Sequence, residues 1–148
     1  MAFRLRALTR DDFADIRAMA EAFREETANP VDAKADAVAW LFEFGAESGL
    51  AWLAVDGSIT LGYVLAQRLG GPKEDWDAEI RELYVVPGGH RRSASLAALN
   101  EVCRELRSLG AGCVFIALDP ADDAARAYYW RHGFETSVSG MAVRYLRD

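Results

Sequence analysis

Cysteine is scarce in this sequence, with Cys103 and Cys113 the only two, and histidine equally so, with His90 and His132. Their scattered positions give no metal-ligand spacing, so no metal site is expected. Both cysteines have apolar flanks, and buried thiols are expected rather than a disulfide. Long apolar runs are also missing, which excludes a helix that crosses a membrane. The first residues, Met1-Ala2-Phe3-Arg4-Leu5-Arg6, lack a secretory h-region, and a soluble cytoplasmic protein is the expectation. Basic residues are the minority: 17 Lys and Arg against 23 Asp and Glu leave a net charge of −6. That argues against general nucleic-acid binding, which needs a basic face, and suits a cationic partner such as an amine. There is no G-x-G-x-x-G after a strand and no G-K-[ST] phosphate loop. No serine or cysteine sits beside a plausible base, so a covalent enzyme intermediate is not expected.

Apolar residues are plentiful, at 51% of 148, enough for one sizeable core and one domain over residues 1–148. The most organised stretch is 79–106. Residues 80–86 are rich in β-branched and aromatic types and read as a strand stopped by Pro87, Gly88 and Gly89. After His90, Arg91 and Arg92, apolar residues return with helical spacing at Leu96, Leu99, Cys103 and Leu106. A basic turn entering a helix N-terminus can hold an anion, because the first N–H groups have no intrahelical acceptor and the dipole is positive there.

The rest of the chain reads in order. Residues 3–7 alternate as a strand. Thr9 starts a helix with Phe13, Ile16, Ala20 and Phe23 on its apolar stripe, ending near Glu26. A second helix is expected over 32–47, with Val38, Leu41 and Phe44 inward and Trp40 and Phe42 flanking that stripe. Strands over 51–55 and 59–68 are joined by an Asp56-Gly57-Ser58 turn. Residues 69–77 read as a loop carrying Glu74, Asp75, Trp76 and Asp77. After the long helix, Gly110-Ala111-Gly112 forms a cap and 113–118 a buried strand. A short helix then places Ala121, Ala125, Tyr128 and His132 on one face, with Tyr128 in the core. Residues 134–138 and 141–146 read as a closing hairpin, where a homodimer interface would lie. The fold class is α/β in one domain, with a mixed, mostly antiparallel sheet flanked by helices in the order β-α-α-β-β-β-α-β-α-β-β.

Two motifs in this order carry a resemblance. The first is Leu83-Tyr84-Val85-Val86-Pro87 followed by the basic turn and helix. The second, Ala125 to Glu135, is similar to an A-x-x-x-Y-x-x-x-G-F-E ending. Together they resemble the GNAT superfamily of acetyl-CoA-dependent N-acetyltransferases over nearly the whole chain. The resemblance implies a GNAT-like fold and acetyl-CoA as acyl donor. Its pantetheine arm would pair with backbone at Leu83, Tyr84 and Val85, and its pyrophosphate would meet His90, Arg91, Arg92, Ser93, Ala94 and Ser95. The family turn usually reads Arg/Gln-x-x-Gly-x-Gly/Ala, and this chain departs from it by carrying Ser93 and Ser95 at the glycine positions. Asp122 stands where the family often has an asparagine near the cofactor. Tyr129 matches the tyrosine that protonates the leaving thiolate. Two glutamates match family bases. Glu79 corresponds to the one used by the histone-acetylating branch, Glu82 to an acid common in small-molecule members. They have opposite parity along the strand. The implied activity is acetyl transfer to a primary amine, that of a small cationic molecule or, alternatively, a protein or peptide N-terminus. A GNAT-like domain that binds a ligand or partner without catalysis is the non-enzymatic alternative.

Overall fold

The computed structural model of the chain describes residues 3–26, 45, 49–70, 76–118, 121–137 and 140–146. Among these residues there are seven strands and three α-helices. In chain order they are β1 (Phe3–Ala7), a 3-10 turn (Arg10–Asp12), α1 (Phe13–Glu26), β2 (Ala51–Asp56), β3 (Ile59–Leu69), β4 (Trp76–Val85), α2 (Arg91–Ser108), β5 (Ala111–Ile116), α3 (Asp123–Arg131), β6 (Glu135–Thr136) and β7 (Ala142–Tyr145). Hydrogen-bonded strands follow the order β1-β2-β3-β4-β5-β7-β6. The pairs β1–β2, β2–β3, β5–β7 and β6–β7 are antiparallel, and β4–β5 is parallel. A parallel neighbour requires a crossover, and α2 supplies it. This is the mixed α/β architecture expected from the sequence. Of the helix expected over 32–47, only position 45 is described, and it is helical; Trp40 and Phe42 lie outside the described residues, as do Glu74 and Asp75.

The chain divides into two compact units, residues 1–65 with 82–101 and residues 66–81 with 102–148. The first is built around Leu8, Ile16, Ala20, Leu53, Val55, Tyr63, Leu65 and Tyr84. Helix α1 forms because Ile16, Ala20 and Arg24 recur every fourth residue and are its buried positions. Phe13 and Phe23, expected on the apolar stripe, are half-buried at its margins. Ahead of α1, the Asp12 carboxylate accepts from Thr9 N–H at 2.9 Å and from Arg6 at 2.9 and 3.2 Å. The Arg6 guanidinium, first among these partners, holds the Asp12 carboxyl below its ordinary range.

The second unit buries Ala78, Ile80, Val102, Cys103, Leu106, Val114, Ile116, Phe134 and Val143. Three expectations are corrected here. Trp76 is not a loop residue: it opens β4, pairs with Ala111 and is buried with the Arg68 guanidinium 4.5 Å over its ring. Residues 76–80 alternate buried and half-buried, the period of a strand that begins before the β-branched run. Strand β5 begins at Ala111 rather than Cys113, since Gly110 alone, at φ +102°, ends the long helix. In α2 the buried positions are Ala94, Ala98, Leu99, Val102, Cys103 and Leu106, while Leu96 is half-buried. Cys103 is buried, Cys113 is half-buried, and neither is in a disulfide. Burial raises the Cys103 thiol, against a smaller opposing effect of Arg144.

Candidate active site

Strand β4 carries the central residues. Its parallel register with β5 runs through Ile80↔Ile116, and the strand continues to Val85. Glu82 points into the first unit with the Tyr84 ring. The Arg24 guanidinium grips its carboxylate with two bonds, Nη1 to Oε1 and Nη2 to Oε2, both 3.1 Å. The Tyr63 hydroxyl donates to Oε1 at 2.8 Å. The side chains of Arg24 and Glu82 are only 4% and 8% exposed. Arg24 also donates to the Ala20 carbonyl at 3.0 Å, which fixes its rotamer. Burial first, then the Glu82 charge, pushes the Tyr63 phenol far above its ordinary range, so it stays a donor. Neither Arg24 nor Tyr63 is evident from the sequence as part of this site. The available signal was a charge at the inner position of α1, one turn past Ala20.

Glu79 has the opposite parity. Its side chain is 17% exposed, and the Arg81 guanidinium reaches Oε1 at 3.4 Å, a long and weak contact. The two candidate bases therefore differ sharply. Glu82 is held in a buried, multiply bonded pair, whereas Glu79 is partly accessible and only loosely engaged.

After β4, the turn closes with Arg91 N–H donating to the Gly88 carbonyl at 3.2 Å, and Ala94 N–H to the His90 carbonyl at 2.9 Å. The latter is the first full turn of α2. The N–H groups of Arg92 and Ser93 precede any i−4 acceptor, and both residues are exposed. Ser93 Oγ donates to the His90 carbonyl at 3.1 Å, so this hydroxyl closes its own turn. Ala94 is buried, Ser95 half-buried, and His90 exposed. The backbone at the start of α2 thus fits a phosphate despite the two serines, because the donors needed are N–H groups that a serine side chain leaves exposed. The Arg91 side chain bonds Glu26 at 2.5 Å and lies 5.4 Å over the Tyr84 ring. Tyr84 itself is buried, stacked on Tyr63 with ring centroids 5.9 Å apart and edge-on to Phe23 at 6.2 Å. Leu83 is half-buried and Val85 buried.

The remaining candidates lie in the second unit. Asp122 is the N-cap of α3, its carboxylate accepting from Ala125 N–H at 2.9 Å. Tyr129 meets Tyr128 at 5.3 Å and Phe134 at 5.5 Å, both edge-on. Burial, followed by Tyr128 and Asp122, raises the Tyr129 phenol above its ordinary value. Tyr128 is half-buried beside His132 rather than in the core, since α3 has no buried residue. Among the described residues no group of His, Cys, Asp and Glu could hold a metal ion, and no helix is long and apolar enough to cross a membrane.

Residues 14–134 match the family described as acetyltransferase (GNAT). Among curated proteins, none matches the sequence significantly. Solved structures do match by fold. An aminoglycoside 6′-acetyltransferase type Ii is similar at TM-score 0.73 and 16% identity, over 98% of each chain. A GNAT family acetyltransferase from Brucella melitensis, in complex with acetyl-CoA, is similar at TM-score 0.70 and 18% identity, over 99% of this chain and 89% of its own. Arabidopsis thaliana Naa50, in complex with the bisubstrate analogue CoA-Ac-MVNAL, is similar at TM-score 0.69 and 13% identity, over 97% of each chain. At these identities the likeness is one of fold.

Proposed function

Because the chain belongs to the acetyltransferase (GNAT) family, we propose that it moves an acetyl group from acetyl-CoA directly to a primary amine. The observation that carries this reading is the family match over residues 14–134, which takes in α1, β4, α2 and α3. Residues 1–148 would then act as one acetyltransferase domain. Acetyl-CoA supplies the activated acetyl group as a thioester. The N–H groups at the start of α2, with His90, Arg91, Arg92, Ser93, Ala94 and Ser95, receive its pyrophosphate. Backbone at Leu83, Tyr84 and Val85 would hold its pantetheine arm, and an N–H donor there would stabilise the charge that develops on the thioester oxygen. Asp122 is given a capping role in α3 and no contact with the cofactor, because an acid is a poor neighbour for an anion and its oxygen already serves Ala125.

Glu79 is the proposed general base that takes the proton from the substrate ammonium. Glu82 is assigned the role of a buried anchor, since its carboxylate is spent on Arg24 and Tyr63. Tyr129 is the proposed acid toward the departing thiolate, and its raised phenol suits a donor that must stay protonated at neutral pH. The acceptor is proposed to be a small cationic amine. The net charge of −6 supports this by attracting cations, and the fold is shared with an aminoglycoside acetyltransferase. A peptide acceptor is the second reading, favoured by the fold shared with Naa50 bound to a peptide-bearing analogue.

Titration with acetyl-CoA by calorimetry tests the first step, and saturable binding is expected. Absence of binding at saturating cofactor would leave the non-catalytic alternative. Thiol release over a panel of polyamines, aminoglycosides and peptides then separates the two acceptor classes. Tyr129→Phe should lower kcat about 10²-fold with cofactor affinity kept. In the wild-type enzyme, the alkaline limb of the pH–rate profile should lie above the ordinary tyrosine range, because burial favours the protonated phenol. Unchanged turnover in Tyr129→Phe would remove Tyr129 from the reaction.

A further inference from the structure

The last turn of α1 reaches outward with two charges of opposite sign. Arg24 binds Glu82 on β4 and is buried. Glu26, half a turn on, binds Arg91 at the first position of α2, with side chains 40% and 37% exposed. The first pair is closed to solvent and to ligands. The second is open to both. It also occupies the arginine that the turn would use for an anion, and Arg91 is further steadied by lying over the Tyr84 ring at 5.4 Å. Glu26 is close enough to Tyr84 to help raise its phenol after burial, while Arg91 opposes the rise, so all three groups share one electrostatic site.

We propose that Glu26 is a built-in rival of the cofactor's pyrophosphate for Arg91, and so sets the affinity for acetyl-CoA. This rests on the acetyl-CoA reading above and names a residue that neither motif contains. A guanidinium has five donors, and Glu26 Oε2 engages Arg91 through one nitrogen, Nη2, while its negative charge offsets the charge that a phosphate would meet there. Before cofactor binds, Glu26 Oε2 holds Arg91 Nη2 at 2.5 Å and aims the guanidinium toward the end of α1. A pyrophosphate at the start of α2 carries more charge than a carboxylate and also meets the helix N–H groups, so it can take Arg91 from Glu26. The exchange costs the Glu26 contact and leaves a carboxylate close to the incoming anion. Both effects weaken cofactor binding relative to a neutral residue at position 26.

The test is a calorimetric cycle with wild type, Glu26→Gln, Arg91→Gln and the double variant, titrated with acetyl-CoA and with S-acetylpantetheine, which lacks the pyrophosphate. Glu26→Gln should bind acetyl-CoA about two- to fivefold tighter, the range set by exposed ion pairs. It should bind S-acetylpantetheine as wild type does. In the Arg91→Gln background most of the gain should vanish. A gain that persists without Arg91, or is equal for S-acetylpantetheine, overturns the rivalry in favour of a general charge effect. No gain, or weaker binding in Glu26→Gln, overturns it outright while leaving the acetyltransferase reading intact. If none of the four proteins binds acetyl-CoA, both readings fall together.

Discussion

Replacing Arg24 with methionine should lower the unfolding free energy by about 3–5 kcal/mol, the cost of leaving a buried charge without its partner. In the wild type, the Glu82 carboxylate is 8% exposed and accepts from both guanidinium nitrogens at 3.1 Å. Methionine fills most of the volume but donates nothing. Among the described residues Glu82 would keep only the Tyr63 hydroxyl, at 2.8 Å, leaving a buried carboxylate short of donors. The double variant Arg24→Met/Glu82→Leu removes both charges. Because desolvation of the two ions offsets much of their attraction, its stability should return most of the way toward wild type. Urea unfolding of the single and double variants checks this. A double variant as unstable as Arg24→Met would mean that packing, not charge, accounts for the loss. The same double variant bears on catalysis. With Glu79 as base, its turnover should survive once stability is recovered, whereas a base at Glu82 would make it inactive.

The elements whose periodicity is carried by large apolar or β-branched residues were legible in the sequence. Strands β2 and β3 and helices α1 and α2 all fall near their expected ranges. The start of β4 was not, because Asp75, Trp76 and Asp77 look like a polar turn when the strand partner, Ala111, is 35 residues away from Trp76. The inner face of α2 was read through Leu96, while the buried positions include Ala94 and Ala98. Small side chains allow a helix to approach closely, yet they stand out little in a hydropathy pattern. The candidate residues of the site come from the two motifs. The basic turn, Tyr129 and the two glutamates could be named. What sets Glu82 apart from Glu79 is a pairing over 58 residues with Arg24, and what engages Arg91 is a pairing over 65 residues with Glu26. Long-range ion pairs leave no local spacing to find.

Replacing Gly62 with alanine should be more damaging than the about 1–3 kcal/mol typical of overpacking. A Cβ at this position would stand 1.9 Å from the Tyr84 carbonyl oxygen, 2.8 Å from its carbon and 2.9 Å from Val85 Cα. Every one of these atoms is backbone, so no rotamer change can relieve the clash. The glycine is needed for space and not for a left-handed φ. Its surroundings explain the close approach. The β2–β3 register pairs Val55 with Thr60 and Ala54 with Gly62, which leaves Leu61 as an extra residue in β3. The Leu61 carbonyl then accepts from Val86 N–H at 2.8 Å. This bulge and the missing Cβ together let β3 lie against Tyr84 and Val85. Relief would require moving the part of β4 proposed to bind pantetheine, so whatever fraction of Gly62→Ala folds should also bind acetyl-CoA more weakly. Gly89→Ala is the control, since a Cβ there meets nothing within 4 Å, and its stability should change by less than about 0.5 kcal/mol. Denaturant unfolding of both variants, with acetyl-CoA titration of the folded material, reads the two effects. Equal stability of Gly62→Ala and wild type would show that β4 has room to move at Tyr84.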